Sequence, residues 1–86
     1  MYAQGGDVAF SVADREILLT VKGVGPTVVK RFEQIGIDSL SQLASCRADD
    51  IVEMVASMLG TTCWKNSPQA KSAIEAAIIR AREEVS

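Results

Sequence analysis

The chain has 86 residues, a net charge of −2 and a pI near 5.0. This length suits one domain with a modest core, and 48% hydrophobic with 23% charged residues is a globular composition rather than a disordered one. The acidic balance excludes nucleic-acid binding by bulk positive charge, so any such binding needs a local basic patch.

Membrane, export and metal signals are missing from the sequence. No apolar run could span a bilayer, and the first ten residues lack the basic and apolar regions of a signal peptide, which predicts a cytoplasmic protein. Two cysteines, Cys46 and Cys63, cannot complete a four-ligand zinc site without a His. We expect both to be reduced, in the core or at its boundary.

The chain begins with a stretch that shows no periodicity. Residues 1–10, "MYAQGGDVAF", predict a flexible lead without a function of its own, so the folded domain is expected over residues 11–86. Ser11 followed by Asp14 is typical of a helix N-cap and predicts a helix to about Thr20. Its inward stripe is predicted to contain Ala13, Ile17, Leu18 and Val21.

A tight turn, "VKGVGP" at residues 21–26, separates this helix from the next. Gly23 and Gly25 are expected to permit positive φ and close approach of a backbone or phosphate, Val24 to point inward, and Pro26 to occupy the first helical position. The second helix is predicted over residues 26–35, with one apolar face formed by Val28, Val29, Phe32 and Ile35. Its polar face carries Thr27, Lys30, Arg31 and Gln34.

Three further helices are predicted after Gly36, which suits a left-handed helix ending with Ile37 folded back on Phe32. Asp38 is expected to cap a short third helix with Leu40 and Leu43 inward. A fourth over residues 48–59 is expected to end at Gly60 and to bury Ile51, Val55, Met58 and Leu59. The fifth opens at Ser67-Pro68 and carries a small-residue stripe of Ala70, Ala73, Ile74, Ala77, Ile78 and Ala81.

Residues 18–44, "LLTVKGVGPTVVKRFEQIGIDSLSQLA", resemble a helix-hairpin-helix motif of the DNA-binding kind. The match is specific in the hairpin, with its hydrophobic-x-Gly-hydrophobic-Gly-Pro core, and Val29 stands where the family more often has Ala. The whole chain is similar to small, single-domain helix-hairpin-helix proteins of bacteria. The resemblance implies an all-α, five-helix bundle of the SAM-like fold. No period of 20 to 50 residues repeats the hairpin cleanly, and the fourth helix, the connector and the fifth helix are a candidate for a degenerate second copy.

The hairpin also has the features of a phosphate site. A phosphate bound by the amides of Gly23, Gly25, Thr27 and Val28, with Val24 anchoring the turn, would lie near Lys22, Lys30 and Arg31. The alternatives are a purely structural helix connector and an ordinary solvated face. The resemblance further implies a monovalent cation, Na⁺ or K⁺, on the carbonyls of Leu19, Val21 and Val24.

Outside the hairpin the sequence contains few candidate site residues. The cations Lys65, Lys71, Arg80 and Arg82 alternate with Glu75, Glu83 and Glu84 and indicate a solvated face with i,i+4 pairs, while Trp64 is expected to cap the core rather than stack on a base. No nucleophile has an evident base, so we expect a non-enzyme.

The predicted function is sequence-independent DNA binding. The alternative is a protein-interaction module that uses exposed apolar residues such as Ile79 and Val52.

Overall fold

A computed structural model describes residues 9–85, and over that range the chain forms five α-helices and no strand. The helices are α1 (Val12–Leu19), α2 (Pro26–Gln34), α3 (Leu40–Ala44), α4 (Ala48–Leu59) and α5 (Pro68–Val85). The all-α, five-helix prediction is confirmed. None of these helices, within the described residues, is long and apolar enough to cross a membrane.

Serine side chains start three of the helices. Ser11 Oγ accepts a hydrogen bond from the amide of Asp14 at 3.2 Å, and Ser67 Oγ accepts one from the amide three residues later at 3.2 Å, as predicted. The cap of α3 is Ser39 rather than Asp38, whose predicted role is wrong. Ser39 has the extended backbone that brings a cap oxygen to the first turn, whereas the amide of Asp38 donates to the side chain of Gln42.

Glycines in the left-handed region end α2 and α4. Gly36 has φ +96°, and the amide of Ile37 then donates to the carbonyl of Phe32 at 3.0 Å. This hydrogen bond between Ile37 and Phe32 forms the predicted Schellman ending and brings Ile37 into the core. Gly60 ends α4 in the same region with φ +68°.

The core lies where α5 packs on α3 and α4, with α1 in contact with both α2 and α5. The small-residue stripe predicted on α5 is buried from Ala73 to Ala81, whereas Ala70 is half-buried. No polar or charged residue of the described range is buried. The fully buried large side chains are Phe32, Leu18, Leu43, Ile51, Ile74, Val29 and Val55.

Five predicted positions differ from the structure. Ala13 and Cys63 are exposed, because Ala13 lies in the first turn of α1 and Cys63 in the connector before α5. Met58 and Leu59 are 42% and 37% exposed. The helical period puts both on the core side, but the last turn of α4 lies at the edge of the core, where neighbours cover them only in part. Val52, expected at the edge of a stripe, is 5% exposed and belongs to the core.

Phe10, the last residue of the predicted lead, is also a core residue. Its ring meets Phe32 edge-on with centroids 6.5 Å apart, and its amide donates to a carboxylate oxygen of Glu33 at 3.1 Å. The packed domain therefore includes residue 10. The rest of the predicted lead, residues 1–8, lies outside the described residues, apart from the exposed Ala9.

Candidate nucleic-acid interface

The connection between α1 and α2 is a tight turn with its own backbone hydrogen bonds. The amide of Val21 donates to the carbonyl of Leu18 and the amide of Val24 to that of Val21, each at 3.0 Å. Val24 is buried, as predicted, so the turn is anchored in the core at its centre. Its outer residues, Lys22 and Gly23, stay exposed.

The two glycines of the turn differ in conformation. Gly23 has φ +89°, a value that side chains disfavour, and a Cβ built on it would lie 3.5 Å from the Cβ of Ala73 on α5. Gly25 has φ −109° and ψ −178°, which is extended backbone open to any residue, so the expected positive φ is wrong at this position. A Cβ on Gly25 would meet nothing within 4 Å. Gly23 therefore supplies the positive φ that the turn requires, whereas the missing side chain of Gly25 leaves open space beside the backbone.

That space lies at the start of α2. Gly25 is the N-cap, it has no side chain to bind the first amides, and Pro26 at the next position has no amide proton. The first intrahelical bond runs from the amide of Val29 to the carbonyl of Gly25 at 3.2 Å. The amides of Thr27 and Val28 donate to no described residue, at the positive end of the helix dipole. This arrangement can bind an anion.

Three cations belong to this hairpin, and no carboxylate occurs between Ile17 and Phe32. Lys22 and Lys30 are exposed and form no ion pair with a described residue. Arg31 is half-buried: its terminal Nη1 donates to the Oε1 of Gln34 at 2.7 Å, while its buried Nε has no hydrogen-bond partner. The hairpin therefore carries positive charge that the described part of the molecule does not neutralise.

Four of the five cations after residue 44 are engaged, and the exception is Arg47. Lys65 in the connector pairs with Glu53 at 3.1 Å, and Lys71 on α5 pairs with Asp49 at 2.9 Å, so both bridge to α4. The ion pair between Lys71 and Asp49 lowers the pKa of Asp49 and raises the pKa of Lys71. Of the predicted i,i+4 pairs, Arg80 with Glu84 at 3.1 Å is present, and Arg82 donates to the carbonyl of Ala44 at 3.1 Å. The sequence predicted that these cations lie on a solvated face and pair with nearby carboxylates.

Glu33 is the carboxylate nearest to the hairpin cations in sequence, and it is half-buried because it accepts the amide of Phe10. It therefore points to the N-terminal segment instead of pairing with Lys30, one turn earlier. Neither Phe10 nor Glu33 was among the predicted site residues. The available signal was an aromatic residue directly before the Ser11 cap, a position where apolar side chains often pack on the helix.

Of the three carbonyls predicted to bind a monovalent cation, one already accepts a backbone hydrogen bond. The carbonyl of Val21 accepts the amide of Val24, which leaves it a second lone pair, and the carbonyls of Leu19 and Val24 accept no hydrogen bond from a described residue. Three carbonyl oxygens suit a hard monovalent cation. Among residues 9–85, no cluster of three or more His, Cys, Asp or Glu side chains offers a conventional metal site.

Trp64 is half-buried against the core, which agrees with its predicted role as a cap. Comparison with known proteins adds nothing to the geometry, since no family model, no curated protein and no solved structure matches this chain.

Proposed function

We propose that this domain binds the sugar-phosphate backbone of DNA without reading base sequence, through the hairpin between α1 and α2. The observation that carries the proposal is the start of α2, where amides without partners share one hairpin with cations that have no carboxylate. Phosphate oxygens accept hydrogen bonds from both kinds of donor. The resemblance to helix-hairpin-helix proteins supports the same reading, with a SAM-like arrangement and a place in the bacterial cytoplasm.

The donors explain why base sequence should not matter. Backbone amides of Gly23, Gly25, Thr27 and Val28 would hold a phosphate, and Lys22, Lys30 and Arg31 would neutralise it and its neighbours. Such contacts fix position on a duplex and carry no base information. With net charge −2 the whole domain is repelled by DNA, so affinity depends on this local patch and should be modest.

A monovalent cation fits the same proposal. The carbonyls of Leu19, Val21 and Val24 would hold Na⁺ or K⁺, whose charge would add to the attraction for a phosphate. Affinity measured at equal ionic strength in Na⁺, K⁺ and tetramethylammonium, an ion too large for the turn, checks this part separately. Equal affinity in all three salts would show that no bound cation contributes, so that binding depends on the amide and side-chain contacts alone.

A salt titration tests the backbone mechanism itself. Three cations at the interface predict a slope of log affinity against log salt of roughly −3, since each neutralised phosphate contributes about −0.9. Scrambling the duplex sequence should change affinity little. A salt-independent affinity, or a strong preference for one sequence, contradicts the mechanism.

Charge reversal locates the interface. The double variant Lys22→Glu, Lys30→Glu changes two exposed residues, so the melting temperature should hold while binding is lost. Arg15→Glu, Arg47→Glu is the matched control, because both residues are exposed, lie outside the hairpin and give the same change in net charge. If both variants weaken binding equally, net charge rather than the hairpin decides affinity.

The alternative is a protein-interaction module, and one observation favours it. Met54 and Met58 lie one turn apart on α4 and are each 42% exposed, and Met54 lines a groove that extends to Gly60 and Thr61. Methionine surfaces adapt to varied partners. Burial of Val52 removes one of the residues expected to serve this function. The alternative moves ahead if wild type shows no measurable DNA affinity at low salt.

A further inference from the structure

A cleft against α5 shares no residue with the hairpin between α1 and α2. It has a volume of about 490 Å³ and lies between the α3–α4 loop, the first turn of α4 and one face of α5. That volume falls within the range of small-ligand pockets. Its α5 wall contains Lys71, Glu75, Ile78, Ile79 and Arg82, spaced as one helix face.

The wall of the cleft is partly apolar. Ile78 is buried at the core side and Ile79 is 57% exposed at the rim, so an apolar surface lies open to solvent there. Cys46 lines the other side. Burial, with a smaller contribution from Asp50, raises the pKa of the Cys46 thiol, which keeps it neutral and makes it part of the apolar wall.

The cleft contains two guanidinium groups, and neither forms an ion pair with a described residue. Lys71 and Asp49 neutralise each other at 2.9 Å, so two guanidinium groups, those of Arg47 and Arg82, stand against the single carboxylate of Glu75. The side chain of Arg47 forms no hydrogen bond or ion pair with a described residue. Arg82 uses its Nε on the carbonyl of Ala44, which fixes the stem and leaves its terminal nitrogens as donors. Because the charge of Asp50 also reaches Cys46, the cleft has no net positive charge, and an anion would be held by these guanidinium donors rather than by bulk charge.

We propose that this cleft binds an amphiphilic carboxylate, with the anion held by Arg47 and Arg82 and an apolar body against Ile78, Ile79 and Cys46. Guanidinium groups bind carboxylates with paired, charge-assisted hydrogen bonds. Two sources share this chemistry, a free aliphatic acid and the C-terminal carboxylate of a peptide that ends in an apolar residue. The proposal is independent of DNA binding.

The test is an NMR titration of the full chain with sodium octanoate and, separately, with an acetylated tripeptide that ends in leucine. Both should give saturable shifts at Cys46, Arg47 and Ile79, and each should lose them when octanol or the peptide amide replaces the acid. Arg47→Gln should weaken binding about tenfold or more, the loss expected for a charge-assisted hydrogen bond. Arg82→Gln should do the same, with its melting temperature recorded because Arg82 also ties α5 to α3.

Lys30→Gln is the control for the carboxylate titration and should leave it unchanged, just as Arg47→Gln should leave DNA affinity unchanged. Binding of octanoate alone assigns the free acid, and binding of the peptide alone assigns a chain terminus; either keeps the proposal. Shifts from octanol equal to those from octanoate, no saturable shift from either acid, or full affinity in Arg47→Gln would overturn it.

Discussion

Replacing Gly25 by Asp should raise the stability of the domain and at the same time abolish DNA binding. Gly25 already has the extended backbone of an N-cap residue, with φ −109° and ψ −178°, and a Cβ there meets nothing within 4 Å. An aspartate carboxylate at this position accepts the amides of Thr27 and Val28 and lies at the positive end of the α2 dipole. The cap, the dipole and the lower entropy of the unfolded chain together predict about 1 kcal/mol of added stability.

The same carboxylate would occupy the place proposed for the phosphate. Two unit charges 4 Å apart repel each other by roughly 1 kcal/mol in water and roughly 4 kcal/mol near a protein surface. The phosphate would also lose amide hydrogen bonds worth about 1.5 to 3 kcal/mol. A combined loss of even about 2 kcal/mol lowers affinity about 30-fold, which is complete loss for a modest binder.

Thermal melting followed by circular dichroism and a fluorescence-anisotropy titration with duplex DNA measure the two effects. The melting temperature of Gly25→Asp should rise by roughly 4 to 8 °C, the shift that about 1 kcal/mol produces in a domain of this size. Gly25→Ser, which caps without charge, should raise stability less and weaken binding less. A Gly25→Asp variant that is more stable and binds DNA as wild type does would show that the phosphate site is not at the start of α2.

Three further substitutions test other parts of the structure. Gly23→Ala places a side chain at φ +89°, which should cost about 1 to 3 kcal/mol and lower the melting temperature, and an unchanged melting temperature would mean that the turn relaxes. Phe32→Ala removes the largest fully buried side chain and the edge-on contact with Phe10, so it should cost about 3 to 5 kcal/mol; a melting temperature that hardly moves would contradict the packing of α2. Asp49→Asn tests the ion pair with Lys71: because folding lowers the pKa of Asp49, its contribution is present above the ordinary value near 3.8 and is lost as pH falls through the folded pKa. Wild type should thus lose more stability than Asp49→Asn on acidification below about pH 4, and parallel curves would show that the pair contributes nothing.

Local signals in the sequence were sufficient for the helices themselves. Serine and proline at helix starts, and Gly36 and Gly60 at helix ends, act within one turn of the chain, so their effects follow from neighbours alone. The apolar period of α2 likewise predicted that Val29 and Phe32 are buried. The DNA interface stays a prediction, because unpaired amides and cations show what the hairpin can bind and not what it does bind.

Contacts between distant segments could be decided only by the tertiary structure. Phe10 belongs to the core because the fold brings it to Phe32, and no spacing in the sequence links residues 22 positions apart. The last turn of α4 is partly exposed because the core ends there, although the helical period at Met58 and Leu59 is that of a buried face. The two glycines of the turn read alike in sequence, yet only Gly23 takes a positive φ. The path of the whole hairpin, with the turn packed against Ala73 of α5, determines which of them must bend the chain and which leaves the amides of α2 uncovered.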